Sequence, residues 1–220
     1  LLAGLKDSVR DGSKSVQMRY ELMKTEAEDK CYITHTSDST MLAVTNYFSH
    51  HGTLLQRMKA YYLLGRVYSD MQFTGDAIDS YKKALYIEGH DDSLTYTVRA
   101  RASNWIGQTL MYQGMFKEAY GYFLRSYCFS RKTGNVTIEI YLLRNIGRCL
   151  SALNEEEKGL SYFRQSARLA KGTGNGRIFK VVMAELAYNY MDLKDYKKAK
   201  QALDVSYYDE DSVYDHACLA

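Results

Sequence analysis

The chain has 220 residues, 46% hydrophobic and 25% charged, enough apolar material for a sizeable buried core. Its 29 Lys and Arg against 26 Asp and Glu leave a net charge of +3, too mild to imply a nucleic-acid partner, and none is expected. Cys31, Cys128, Cys149 and Cys218 lie no closer than 21 positions apart, which excludes a paired metal or redox motif, so neither metal nor cofactor is expected.

The chain starts at Leu1 rather than Met, which points to a removed leader; no stretch between Leu1 and Ala220 reads as a signal or membrane-inserted segment. Residues 15–53 read as an atypical helix pair. One stripe holds Val16, Tyr20, Met23, Ala27 and Cys31; the next holds Ala43, Tyr47 and Phe48. His50 and His51 stand at its end. Adjacent helical residues point about 100° apart, so this pair cannot share a metal as an i, i+4 pair could.

From residue 57 a four-fold repeat sets in. Gly65, Gly107, Gly147 and Ala187 fall 42, 40 and 40 residues apart, and Ala77, Ala119, Gly159 and Ala199 follow each of them by 12. Leu64, Ile106, Ile146 and Leu186 precede the first column; Tyr68, Leu110, Leu150 and Tyr190 come three after it. Tyr81, Phe123, Phe163 and Leu203 come four after the second column, then Ala84, Ser126, Ser166 and Ser206. Spacings of three and four mark a buried stripe on a helix. A mid-helix Gly costs about 1 kcal/mol against Ala, a cost that close approach of a neighbouring helix offsets. Each unit therefore reads as helix A, a turn and helix B, crossing at the small residues, over 57–90, 99–134, 139–174 and 179–208.

The connectors fit this reading. Thr74 and Asp195 are acceptable N-caps for second helices. The runs Lys132-Thr133-Gly134-Asn135 and Lys171-Gly172-Thr173-Gly174-Asn175 have the cation and glycine of a helix C-terminus. His90-Asp91-Asp92 reads as a turn with an N-cap for a helix from Ser93. Gly172 to Gly176 superficially resembles a phosphate loop, but it follows a helix and lacks the lysine-hydroxyl ending, so it reads as a turn. Asn135-Val136-Thr137 matches a glycosylation acceptor by chance. Past Tyr208, Asp209-Glu210-Asp211 opens a short helix from Ser212 to Leu219, either a cap or the start of a truncated further repeat. Proline is absent and nothing alternates with period two, so no sheet is expected and residues 1–220 read as a single array.

These residues resemble the tetratricopeptide repeats, whose pattern appears as Tyr61, Leu64-Gly65, Tyr68, Ala77, Tyr81 and Ala84, and again as Leu186-Ala187, Tyr190, Ala199 and Ser206. The resemblance spans residues 57–207. It departs in its period of 40–42 against the usual one of about 34, and in lacking the proline that ends helix B. It implies an all-α, right-handed α-α superhelix of antiparallel helix pairs, similar to long-period bacterial variants in regulatory and scaffolding proteins. The Tyr-rich first pair, with Lys24-Thr25-Glu26-Ala27 and Thr36-Ser37-Asp38-Ser39, is similar to bacterial envelope-associated repeat proteins, which implies a periplasmic or lipid-anchored location, with a cytoplasmic one as the alternative. Some family members clamp a C-terminal carboxylate. Here Asn145 is the clear match, while Tyr62, Trp105 and Tyr141 replace required residues, so that clamp is not expected.

In such stacks the A helices line the concave side. The columns facing it hold Arg66, Gln108, Arg148 and Tyr188; Tyr62, Asn104, Arg144 and Ala184; and Lys59, Arg101, Tyr141 and Val181. Five of the twelve are cationic and none is acidic, where 29 in 220 would place about 1.6. The expected function is non-enzymatic: a scaffold holding an acidic protein or peptide segment. Arg66, Arg144 and Arg148 would make charge-assisted contacts, Asn104 and Gln108 would read amides, and Tyr62, Tyr112 and Tyr188 would give apolar contact. The alternatives are a solvated face balanced by acids elsewhere, and a sensor or homo-oligomerising region of a larger bacterial signalling protein. No Ser/His/Asp or Cys/His spacing argues for a nucleophile.

Overall fold

The computed structural model describes residue 9 and residues 11–207. The Asp209-Glu210-Asp211 run, the expected helix from Ser212 to Leu219 and Cys218 lie outside the described residues. Among those described there are ten α-helices and no strand. They are α1 (Lys14–Lys30), α2 (Ser39–His51), α3 (Leu54–Asp70), α4 (Thr74–Tyr86), α5 (Ser93–Tyr112), α6 (Phe116–Ser130), α7 (Val136–Ala152), α8 (Glu156–Gly172), α9 (Gly176–Asp192) and α10 (Tyr196–Tyr207).

Each A helix starts a few residues before the repeat columns suggest, at 54, 93, 136 and 176 against 57, 99, 139 and 179. The reason is capping. Thr53 forms a capping box with Gln56, and Asp92 forms one with Thr95, while Asn135 and Asn175 accept from the amides of Ile138 and Ile178, each at 3.1 Å. Each pair saturates orphan first-turn amides and so pulls the helix start forward.

The turn from A to B is the same in all four units. Gln72, Gly114, Asn154 and Lys194 adopt left-handed backbone at φ 64°, 76°, 60° and 60°. The next residue's amide then donates back over the turn: Phe73 to Tyr68 O, Met115 to Leu110 O, Glu155 to Leu150 O and Asp195 to Tyr190 O, at 2.8–2.9 Å. Asp195 does cap α10, its Oδ1 accepting from the Lys198 amide at 3.2 Å. Thr74 does not cap α4. It is already the first helical residue, Phe73 holds the cap position, and the backbone closure alone satisfies that end.

The residues fall into two compact units, one up to Gly134 and one from Asn135. In the first, hairpins α1/α2, α3/α4 and α5/α6 stack so that α1 lies on α3 and α3 on α5, while α2 packs on α3 and α4 on α5. In the second, α7/α8 and α9/α10 stack through α8 against α9.

Both cores use the small-residue columns in the same way. A Cβ placed on Gly65 would meet the Tyr81 ring at 2.6 Å, one on Gly107 the Phe123 ring at 2.9 Å, and one on Gly147 the Phe163 ring at 2.8 Å. Each aromatic ring is fully buried in the notch its glycine leaves. The serine column adds an inter-helix bond, Ser126 Oγ donating to Ala100 O at 2.7 Å and Ser166 Oγ to Ile140 O at 3.0 Å. Each such bond is worth about 1 kcal/mol net.

Candidate functional site

The predicted ligand-facing residues sit on α3, α5, α7 and α9, and each unit presents its own A-helix face. In the first unit α1 supplies the acids that the columns lacked. Lys59 Nζ donates to Glu26 Oε2 at 2.8 Å and Arg66 Nε to Asp29 Oδ1 at 2.6 Å, with Asp70 at 3.8 Å from Arg66. On its other side the Arg66 guanidinium lies 3.8 Å from the Trp105 ring centroid. Burial opposes the Arg66 charge, but the Asp29 hydrogen bond and charge outweigh it and raise its pKa further. Tyr62 is buried beneath this layer. Burial, then the Asp29 carboxylate, push its phenol up to about 12. Arg66 and Tyr62 thus tie α1, α3 and α5 together, and Lys59 is neutralised.

The α5 residues are different. Arg101, Asn104 and Gln108 stand at i, i+3 and i+7, so they share one stripe. All three are half-buried, and no side-chain hydrogen bond or ion pair engages them among the described residues. Tyr112, about one turn beyond Gln108, is 84% exposed.

In the second unit Arg144 is committed. Its Nε and Nη2 grip both oxygens of Glu185 on α9, at 2.6 and 2.5 Å, and its guanidinium lies 5.2 Å from the Tyr141 ring. Asn189 is held between Ser151 Oγ at 2.9 Å and the Glu185 carbonyl at 2.8 Å. Arg148, by contrast, is exposed and forms no ion pair among the described residues, and Tyr141, Val181 and Tyr188 are exposed beside it in sequence register. Tyr188 shows 63% of its surface.

Three of the five expected cations are therefore spent on internal pairs, by residues that the column reading overlooked. Trp105 and Glu185 occupy one column, two before the small residue, from which each reaches back to an arginine of the preceding A helix. That column carried the signal. Glu26 and Asp29 had none, because α1 shares no small-residue register with the repeats. Among the described residues no group of three or more His, Cys, Asp or Glu could hold a metal ion, and no helix is long and apolar enough to cross a membrane.

A tetratricopeptide-repeat model matches residues 59–91, the α3/α4 hairpin and its linker. The glycine notch and the buried ring recur in α5/α6 and α7/α8, and the left-handed turn recurs in those two hairpins and in α9/α10. The chain carries a tetratricopeptide-type repeat in an all-helical fold of paired helices. Solved structures of such repeats share its fold at low sequence identity. RapI in its apo form superposes with a TM-score of 0.77 at 15% identity, over 93% of this chain and 57% of that one. The protein PH0952 from Pyrococcus horikoshii, a signal-transduction ATPase with a tetratricopeptide repeat sensor, gives 0.70 at 19% identity, over 86% of this chain and 28% of that one. Nearly identical TPR-like repeats from a Podosopora anserina protein of kinesin-light-chain type give 0.68 at 13% identity, over 86% and 92%. Among curated proteins none matches this chain in sequence.

Proposed function

We propose that the chain is a non-enzymatic scaffold whose A-helix faces hold an acidic protein or peptide segment. The observation that carries this is the α5 stripe. Arg101, Asn104 and Gln108 are partly desolvated and bond to no other residue, whereas the neighbouring Lys59 and Arg66 are saturated. The polar atoms of the stripe stay open to water rather than sealed in the core, so a ligand can exchange that water for direct hydrogen bonds. An extended segment supplies amides for Asn104 and Gln108 and a carboxylate for Arg101. The second unit, taken by itself, offers Arg148 for a carboxylate, with Tyr141 and Tyr188 as apolar contacts.

Random peptides displayed against the chain test this. Enriched sequences should carry Asp or Glu, and Arg101→Glu or Arg148→Glu should weaken their binding without changing far-UV ellipticity. Arg144 is the wrong probe, since reversing its charge sets two carboxylates against each other at the Glu185 position. Enrichment without acidic residues, or binding indifferent to both variants, removes the proposal.

A second reading makes the array the sensor region of a larger signalling protein, supported by the tetratricopeptide sensor of PH0952. It predicts self-association that light scattering detects as concentration-dependent mass.

A further inference from the structure

The hairpin α5/α6 with its exit turn, residues 93–134, carries six cations (Arg99, Arg101, Lys117, Arg125, Arg131 and Lys132) and one acid, Glu118. Glu118 lies in the first turn of α6, about two turns before Arg125, while Arg131 and Lys132 follow the end of that helix. Arg99 is consumed internally. It is buried, donates to Asp91 at 2.8 Å and to the carbonyls of Leu85 and Ile87, and so pins the 87–92 linker.

Arg125, Arg131 and Lys132 form no ion pair among the described residues. Two of them face aromatic rings instead. Arg125 lies 5.5 Å from the Tyr86 ring centroid and 5.8 Å from that of Tyr122, and donates to the Tyr86 hydroxyl. Lys132 lies 5.1 Å from Tyr96, whose ring is 6.1 Å from that of Phe129. Beside them a cleft of about 510 Å³, open to solvent, is floored by Leu85, Ile87 and Phe129 and edged by Arg125. Of the two carboxylates lining it, Asp91 is held by Arg99, and only Glu88 stays exposed.

The cleft is lined from α4, the linker, α6 and Arg99 of α5, whereas Arg101, Asn104 and Gln108 stand on the side of α5 turned away from Arg99. The geometry points to a second docking site here, for a protein segment that sets acidic residues beside an aromatic or aliphatic side chain. Charge complementarity selects the acids: positive groups set against aromatic rings rather than carboxylates keep their field outward. Cation–π contact holds those groups in place and lowers the entropy lost when a carboxylate docks on them. The apolar floor selects the side chain, and Tyr, Phe and Arg are the residues from which interface centres are built.

Fluorescence anisotropy tests this with three labelled probes: a glutamate–tyrosine copolymer, polyglutamate and oligothymidylate. The copolymer should bind more tightly than polyglutamate. Measured in an Arg101→Glu, Arg148→Glu background that disables the A-helix faces, Arg125→Glu with Lys132→Glu should weaken copolymer binding roughly tenfold or more, while Lys117→Glu, exposed on the same hairpin and in neither site, leaves it within about twofold. Phe129→Ala should remove the copolymer's advantage over polyglutamate, with far-UV ellipticity as the control for folding. Equal binding of the copolymer with and without the Arg125 and Lys132 replacements overturns the proposal. So does a patch that prefers oligothymidylate, which would make it a nucleic-acid surface. Failure of the A-helix reading leaves this outcome untouched, because Arg101 and Arg148 are already replaced in the background used here.

Discussion

Gly107 and Gly121 sit on the two helices of one hairpin, and exchanging each for Ala separates notch packing from helix propensity. A Cβ on Gly107 would lie 2.9, 2.9 and 3.1 Å from three atoms of the Phe123 ring. Carbon atoms prefer about 3.5–4.0 Å, so the overlap is roughly half an ångström or more against a ring that is 0% exposed and has nowhere to go. Overpacking of this kind costs about 1–3 kcal/mol, against a propensity gain of about 1 kcal/mol. The net expectation for Gly107→Ala is a loss of about 1 kcal/mol. A Cβ on Gly121 meets nothing within 4 Å, so Gly121→Ala keeps the whole propensity gain. Urea unfolding followed by far-UV ellipticity should separate the two variants by about 2 kcal/mol, in opposite directions from the parent. Adding Phe123→Leu to Gly107→Ala should recover part of the loss, a coupling of about 0.5–3 kcal/mol for residues in contact. If Gly107→Ala stabilises as much as Gly121→Ala, the glycine notch is not what the column selects.

Lys194→Gly should stabilise the α9/α10 hairpin by up to about 1 kcal/mol, because glycine takes φ 60° without a Cβ penalty; an unchanged unfolding midpoint counts against the turn account. Burial tends to raise the Glu26 carboxyl, but hydrogen bonds from Lys59 and Lys30 outweigh it and leave the pKa below its ordinary 4.5. Its contribution is thus complete above 4.5 and fades as pH falls through the lowered folded value. The stability gap between the parent and Glu26→Gln should accordingly be widest near neutrality and close in acid; a gap that widens in acid reverses the sign. Burial pushes the Cys149 thiol up to about 11, with Arg148 opposing only weakly. Alkylation at pH 8 mapped by mass spectrometry should therefore mark exposed Cys31 and Cys128 well before Cys149, and equal rates would show that α7 opens readily.

Much of the fold was legible in the sequence, for identifiable reasons. A glycine column in phase with an aromatic column states a packing relation directly, and Gly107 with Phe123 shows that relation in space. The left-handed turn position was half-visible: Gly114 and Asn154 suit it, but Gln72 and Lys194 disguise the column. The binding face was the harder part. Counting cations along one set of columns ignores what stands opposite them, and Asp29 is 37 positions from Arg66 while Glu185 is 41 from Arg144. Pairing over such separations depends on how neighbouring helices face each other, which a single repeat unit does not encode. The cation–aromatic cluster around Arg125 escaped for a related reason: its rings lie on three elements, and none occupies a repeat column.

The notch and its ring also bear on how such arrays diversify. The last hairpin answers Ala187 with Leu203, where the others answer glycine with Tyr or Phe. A lone B helix moved between hairpins would leave a void in one recipient and a collision in the other. A whole hairpin carries lock and key together and can be duplicated, deleted or grafted. Recombination breakpoints compatible with folding therefore belong in the linkers between hairpins rather than in the turns inside them.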